Sequence, residues 1–195
     1  MLNDSLKSRT IKNLGKGFIN KSSPSYLILY VNNICQLRCD MCFYWDAMQK
    51  KTKQLSLDEI TKLAKSLPNL LQLTLTGGEP SLRKDITEIP KIFSKYSNLS
   101  KCTMVTNGML PERIKEQVNT FVNENKNIDF RISISMDGIG DLHDKIRGVK
   151  GSFSNAEKTL NLLFKIRDQV PNLWVDIATT ISKYNYEKFE EIHNH

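Results

Sequence analysis

The sequence predicts an α/β fold built on a parallel sheet, and three observations carry that prediction. Five β-branched or aliphatic runs recur along the 195 residues, each precedes a helical pattern, and polar or glycine-bearing segments follow four of the runs directly. Strands alternating with helices at roughly 30-residue spacing make βαβ units, whose crossovers are right-handed.

The elements follow in order. Tyr26 to Asn32 is the first strand. Ser56-Leu57-Asp58-Glu59 is a capping box, and it opens a helix with Leu57, Ile60, Leu63, Ala64 and Leu67 on one face. Leu70 to Thr76 is the second strand, followed by a helix around Ile86, Ile89, Phe93 and Tyr96 that Pro90 interrupts near its start. Lys101 to Thr106 is the third strand. Pro111 suits the first turn of the next helix, which bears Ile114, Val118, Phe121 and Val122. Asp129 to Met136 is the fourth strand, and Ser154-Asn155-Ala156-Glu157 offers a second capping box ahead of Leu160, Leu163 and Phe164. Leu173 to Ile181 is the fifth strand, and a last helix starts near Asn185. No repeat or low-complexity tract is evident.

Composition narrows the class. With 39% apolar and 25% charged residues the chain reads as one globular domain. The longest apolar stretch, Tyr26 to Val31, is far too short to span a bilayer, and no signal peptide is visible, so a cytoplasmic protein without a membrane partner is expected. Residues 1–25 carry +4 of the net +7, through Lys7, Arg9, Lys12, Lys16 and Lys21 against Asp4. They read as a basic leader, with a short amphipathic helix before Ser22-Ser23-Pro24-Ser25, ahead of a core domain over 26–195. No interleaving of aromatic and basic residues points to nucleic acid.

The chemistry lies in Cys35-Gln36-Leu37-Arg38-Cys39-Asp40-Met41-Cys42, a CxxxCxxC triplet directly after the first strand. Three crowded cysteines do not make the framework of a disulfide-stapled domain. They offer one metal centre three thiolates and leave a coordination position open to a non-protein ligand. Two blander arrangements compete: a Cys3His zinc site completed by His143, and a cluster that takes Cys102 as a distant fourth thiolate. Cys102 sits in an apolar run, where a free cysteine is most often a small buried hydrophobe. Three further signals fall at strand ends: Gly77-Gly78-Glu79-Pro80, Thr106-Asn107-Gly108 and Ser135-Met136-Asp137-Gly138. All four lie at the carboxyl edge of the predicted sheet, where α/β folds bind ligands.

With both CxxxCxxC and Gly-Gly-Glu in this order, the chain resembles the radical S-adenosylmethionine (radical SAM) superfamily over roughly residues 26 to 192. The resemblance implies a partial (βα)6 TIM-like barrel, with about five βα units present here and the sixth strand missing. It implies a [4Fe-4S] cluster held by Cys35, Cys39 and Cys42, with the fourth iron chelated by the amino and carboxylate groups of SAM. It also implies a flavodoxin or ferredoxin-type reductant, and a 5'-deoxyadenosyl radical that abstracts hydrogen from a peptide or small-molecule substrate.

Gly77, Gly78 and Glu79 match the motif that holds the SAM amino group, and Pro80 fixes its turn. Ser135 matches a serine that contacts SAM, and Ser133 shares its facing by period-two alternation. Thr106 and Asn107 match the end of the third strand, where some members present a threonine to substrate. Arg147, within Leu142-His143-Asp144-Lys145-Ile146-Arg147-Gly148, matches an arginine that pairs with the SAM carboxylate. That stretch is similar to the branch with C-terminal auxiliary-cluster (SPASM-type) extensions. Two departures stand out. Met41 occupies a usually aromatic position whose backbone meets adenine, with Phe43 one step late, and the chain stops at His195 inside a helical pattern. The rival reading is an electron-transfer or structural iron–sulfur or zinc protein without SAM chemistry.

Overall fold

The computed structural model describes residues 23–48, 50 and 53–195; the basic leader and its helix fall almost wholly outside them. Strands β1 (Tyr26–Asn32), β2 (Gln72–Gly77), β3 (Lys101–Thr106), β4 (Asp129–Ser135) and β5 (Leu173–Ala178) form one parallel sheet in the order β1-β2-β3-β4-β5. Seven α-helices are described: α1 (Trp45–Met48), α2 (Leu57–Ser66), α3 (Glu88–Tyr96), α4 (Pro111–Glu124), α5 (Asp141–Arg147), α6 (Ser152–Arg167) and α7 (Phe189–Asn194). Because each strand pairs in parallel with the next in sequence, right-handed crossovers all wind the same way. The helices are thereby stacked on one face, and the other face becomes the inside of a partial barrel.

Side-chain alternation divides the two faces. Leu29, Leu73, Leu75, Cys102, Met104, Phe130, Ile132 and Ile134 are buried toward the helices, against Ile60, Ile89, Phe93, Ile114, Val118, Phe121 and Leu163. Each such side chain contributes about 1.5–3 kcal/mol of burial. On the opposite face of β1, Tyr26, Ile28 and Tyr30 are exposed. The register aligns Val105, Ser133 and Asp176 across β3, β4 and β5, and Thr103, Arg131 and Trp174 one step below. The inner face is therefore more polar than the helix face.

The capping box of α2 is present: Glu59 N–H donates to Ser56 Oγ at 3.2 Å, and Ser56 N–H donates to Glu59 Oε2 at 2.8 Å. Pro90 does not interrupt α3. It is the third residue of the helix, where its missing N–H would have had no intrahelical partner. The second expected capping box is not formed, and α6 starts earlier, at Ser152. Asp144 does the capping from α5, accepting from Gly151 N–H (2.6 Å), Phe153 N–H (2.8 Å) and Ser152 Oγ (2.9 Å). Ser154 instead donates its hydroxyl to the Gly151 carbonyl at 3.0 Å. β2 begins two residues later than expected. β5 ends at Ala178 because Thr179 and Thr180 turn toward the β4 exit, where Thr179 Oγ donates to Met136 O (2.7 Å) and Thr180 N–H to Asp137 Oδ1 (2.8 Å). The final helical segment opens as a 3-10 turn over Tyr186–Lys188 before α7. Among the described residues no helix is long and apolar enough to cross a membrane.

Candidate active site at the carboxyl edge of the sheet

The cysteine loop leaves β1 and is held from two sides. Toward β2, Gly78 N–H donates to Asn32 O (3.0 Å), Glu79 N–H to Ile34 O (2.7 Å) and Asn32 Nδ2 to Glu79 O (2.9 Å). Toward α5, Arg38 N–H donates to Arg147 O (3.1 Å) and Asp40 N–H to Ile146 O (2.9 Å). The two glycines have a local reason to be there: a Cβ at Gly77 would lie 2.3 Å from Asn32 O and one at Gly78 2.2 Å from Ile34 O. Their backbone approaches the cysteine loop itself, in addition to any ligand. Gly148, at φ +74, is needed on the other side, where a Cβ would lie 2.5 Å from Arg38 O.

Cys35, Cys39 and Cys42 are free thiols, all partly buried in this loop, whereas Cys102 is buried in the β3 core. Burial pushes the Cys35 thiol up to about 11. It raises Cys39 as well, against the pull of the Arg147 guanidinium. Such thiols give up their protons to a bound metal, which supplies the compensating charge. Among the described residues no three Cys, His, Asp or Glu side chains converge on a single ion position. Three thiols on one loop are the soft donor type that iron–sulfur ligation uses, and Cys35, Cys39 and Cys42 are the residues here that would hold such a cluster.

Glu79 is the hub of the site. Only 1% exposed, it accepts from Thr106 Oγ1 (2.6 Å) and Ser81 N–H (3.0 Å) through Oε1, and from Asn107 N–H (2.8 Å) through Oε2. Burial raises its pKa, and these hydrogen bonds oppose the rise. The carboxylate expected to face an ammonium is thus committed to joining the exits of β2 and β3. Pro80 starts the 3-10 turn Pro80–Leu82. Asn107 reaches the cysteine loop, with its Nδ2 3.8 Å from Cys35 Sγ and its Oδ1 accepting from Gln36 Nε2 at 3.5 Å. Met41 is half-buried before Cys42, while Phe43 is 88% exposed.

At the β4 exit, Ser135 is half-buried and paired with Ala178 in the sheet, and Ser133 Oγ donates to Asp176 Oδ1 at 2.5 Å. Arg131 pairs with the same carboxylate. Arg147 is buried, its Nη2 2.7 Å from Asp137 Oδ2 and its Nη1 donating to Cys39 Sγ at 3.7 Å. Burial raises the Asp137 carboxyl and Arg147 counteracts it. Asp137 lies in the Ser135–Gly138 exit segment with no role of its own evident from the sequence, and Asp176 lies within the fifth apolar run. The available signal was an acid placed in or just after an apolar strand at the carboxyl edge.

His143 is fully buried on α5, and its Nδ1 accepts the Asp137 N–H at 3.2 Å, as befits a packing residue. Burial, assisted by the Arg147 charge, lowers its pKa from 6.5 to about 4. A depressed histidine contributes stability that is complete above the unfolded-state value and is lost as pH falls toward the folded one. Between pH 6.5 and 4 the unfolded chain therefore binds the extra proton, weakening the fold by up to about 3 kcal/mol. Denaturant unfolding at pH 7 and pH 4.5 is expected to show a steeper acid loss in the wild type than in His143→Asn. Equal losses in the two proteins would remove the histidine from that role.

Three thiols after β1 and a Gly-Gly-Glu exit from β2 thus meet at the carboxyl edge of one parallel sheet. The chain belongs to the Radical SAM superfamily, whose profile matches residues 29–195. It is 29% identical over 164 residues to GTP 3',8-cyclase of Mannheimia succiniciproducens, covering 76% of this chain and 48% of that protein. It is 37% identical over 93 residues to GTP 3',8-cyclase of Haemophilus ducreyi, covering 46% and 27%. The chain thus spans about half or less of the length of these curated relatives. Among solved structures, native anSMEcpe with bound AdoMet superposes with a TM-score of 0.68 at 22% identity, covering 87% of this chain and 47% of that one. Streptococcus suis SuiB bound to precursor peptide SuiA gives 0.65 at 20%, covering 96% and 40%. Both likenesses establish the fold, that of a TIM-like partial barrel.

Proposed function

We propose that residues 26–195 form a radical SAM core that reductively cleaves S-adenosylmethionine and passes the radical to a peptide or small-molecule substrate. The observation that carries this reading is the docking of a three-cysteine loop against the Gly77-Gly78-Glu79 exit, at the open carboxyl edge of a parallel sheet. When bound, a [4Fe-4S] cluster on Cys35, Cys39 and Cys42 supplies the electron that breaks the SAM sulfonium bond and yields a 5'-deoxyadenosyl radical.

This chain's own residues do the holding and the orienting. Gly77 and Gly78 bring backbone close to the loop and leave room for the amino end of SAM. Glu79 fixes that backbone through Thr106 and Asn107. The Nε of Arg147 is buried without a hydrogen-bond partner and is a spare donor for the SAM carboxylate. Ser135 and Met41 flank the same edge, and Ser133 with Asp176 lines the inner face below it. A flavodoxin or ferredoxin-type protein is the proposed electron source, and the cytoplasm the proposed compartment.

The SPASM-type affinity rests on the residues 142–148 and is consistent with a peptide substrate, as in the SuiB complex with its precursor peptide. A nucleotide substrate is the second reading, favoured by relatives named GTP 3',8-cyclase. Anaerobically reconstituted protein is expected to bind SAM and, once reduced, to form 5'-deoxyadenosine. A reduced four-iron protein with no spectral response to SAM and no 5'-deoxyadenosine would favour the electron-transfer rival instead.

A further inference from the structure

We infer that Arg147 and Asp137 act as a positioning pair that sets the reduction potential of the metal centre, through a donor aimed at Cys39 and a carboxylate that tempers it. The inference rests on the reading of Cys35, Cys39 and Cys42 as ligands of a four-iron cluster. The geometry starts from the backbone. The residues on either side of Cys39 donate to the last turn of α5, Arg38 N–H to Arg147 O at 3.1 Å and Asp40 N–H to Ile146 O at 2.9 Å. Gly148 permits the close approach. The helix end is thereby registered on that cysteine, and the Arg147 guanidinium lies with Nη1 3.7 Å from Cys39 Sγ.

Asp137 holds the other end of the fork, at 2.7 Å from Nη2. The acid is itself fixed from three directions. Its Oδ1 accepts Thr180 N–H (2.8 Å), its N–H donates to His143 Nδ1 (3.2 Å) and its carbonyl accepts from Asn185 Nδ2 (2.9 Å). It is 0% exposed, and Arg147 only 9%. A buried ion pair is weak evidence of a stabilising role, because desolvation offsets its attraction. This pair is also placed beside a sulfur that would carry part of the cluster's added electron. A donor to a coordinating sulfur favours the reduced state and raises the potential, and a nearby negative charge lowers it. The two side chains therefore act with opposite signs on the same atom.

The test is a redox titration of the full chain, reconstituted anaerobically, with iron and sulfide quantified and the reduced cluster followed by electron paramagnetic resonance. SAM is omitted, so that any contact of Arg147 with its carboxylate does not enter. Arg147→Met is expected to move the midpoint potential downward and Asp137→Asn upward, with Arg147→Lys between wild type and Arg147→Met. Should Arg147→Met fail to retain iron, the double variant Arg147→Met/Asp137→Asn removes both charges, and its potential is expected below that of Asp137→Asn. A merely structural pair would alter iron content and melting temperature without shifts of opposite sign. Normal iron content with unmoved potentials, or shifts in the same direction, overturns the inference alone. A folded wild type that takes up no four-iron cluster overturns the reading of the cysteines and the inference with it.

Discussion

Alanine in place of Cys35, Cys39 or Cys42 is expected to strip the protein of cluster iron, and Cys102→Ala to leave that iron in place. Each loop cysteine is a partly exposed thiol, and the one remaining cysteine, Cys102, is buried in the β3 core, so a lost thiolate has no thiolate to replace it. The loss of 5'-deoxyadenosine formation should exceed the roughly 10–100-fold that removal of a mere orienting partner costs a metal site. Cys102 lies on the helix face of β3, fully buried, with its thiol pushed up by burial alone. Its replacement trims a packed side chain at a cost of about 1 kcal/mol. Iron analysis of the four variants decides the matter. Retention of iron by a loop variant, or its loss on removing Cys102 from a protein that still folds, would overturn the ligand assignment.

Glu79→Ala should be the most destabilising single change at the site. Its carboxylate satisfies three donors in a place closed to water, and truncation leaves Ser81 N–H, Asn107 N–H and the Thr106 hydroxyl without it. Each orphaned buried group costs about 1–3 kcal/mol, and breaking such a network as a whole typically costs about 3–5 kcal/mol. For a domain of this size that corresponds to a fall in melting temperature of about 10 °C. Glu79→Gln keeps the volume and part of the accepting capacity, but turns an amide N–H2 toward at least one donor, so an intermediate loss is expected. Because Glu79 N–H and its carbonyl also hold the first residues of the cysteine loop, iron retention should fall in the same order. A Glu79→Ala protein melting within about 2 °C of wild type would mean that the hub is not holding the two strand exits together.

The strands were legible because a parallel sheet buries one face of every strand and punctuates each exit with glycine or polar residues. Lys101–Thr106 and Tyr26–Asn32 coincide with their apolar runs for that reason. The cysteine loop was legible because three cysteines crowded within eight residues directly after a strand stand out from any packing pattern. The start of α6 was not, since its cap comes from Asp144 on the preceding helix, and a cap supplied from outside leaves no mark at the helix's own first residues. Glu79 was correctly placed at the edge, but its direction depends on Thr106 and Asn107, 27 and 28 positions away. Arg147 likewise reads as a ligand-facing cation until the fold brings Asp137 and Cys39 to either end of its fork.

The clasp between the cysteine loop and the end of α5 joins two segments 108 positions apart in sequence. A helix of seven residues has little cohesion in isolation. It persists because Asp144 ties it forward to α6 and the Arg38 and Asp40 amides tie it back to the loop. Those two amides should therefore exchange with solvent as one cooperative unit with the 141–151 segment, through a shared local opening. Opening of that unit would free the loop and the helix end at once. Limited proteolysis is then expected to cut the loop and the 141–151 segment together, before the rest of the sheet gives way.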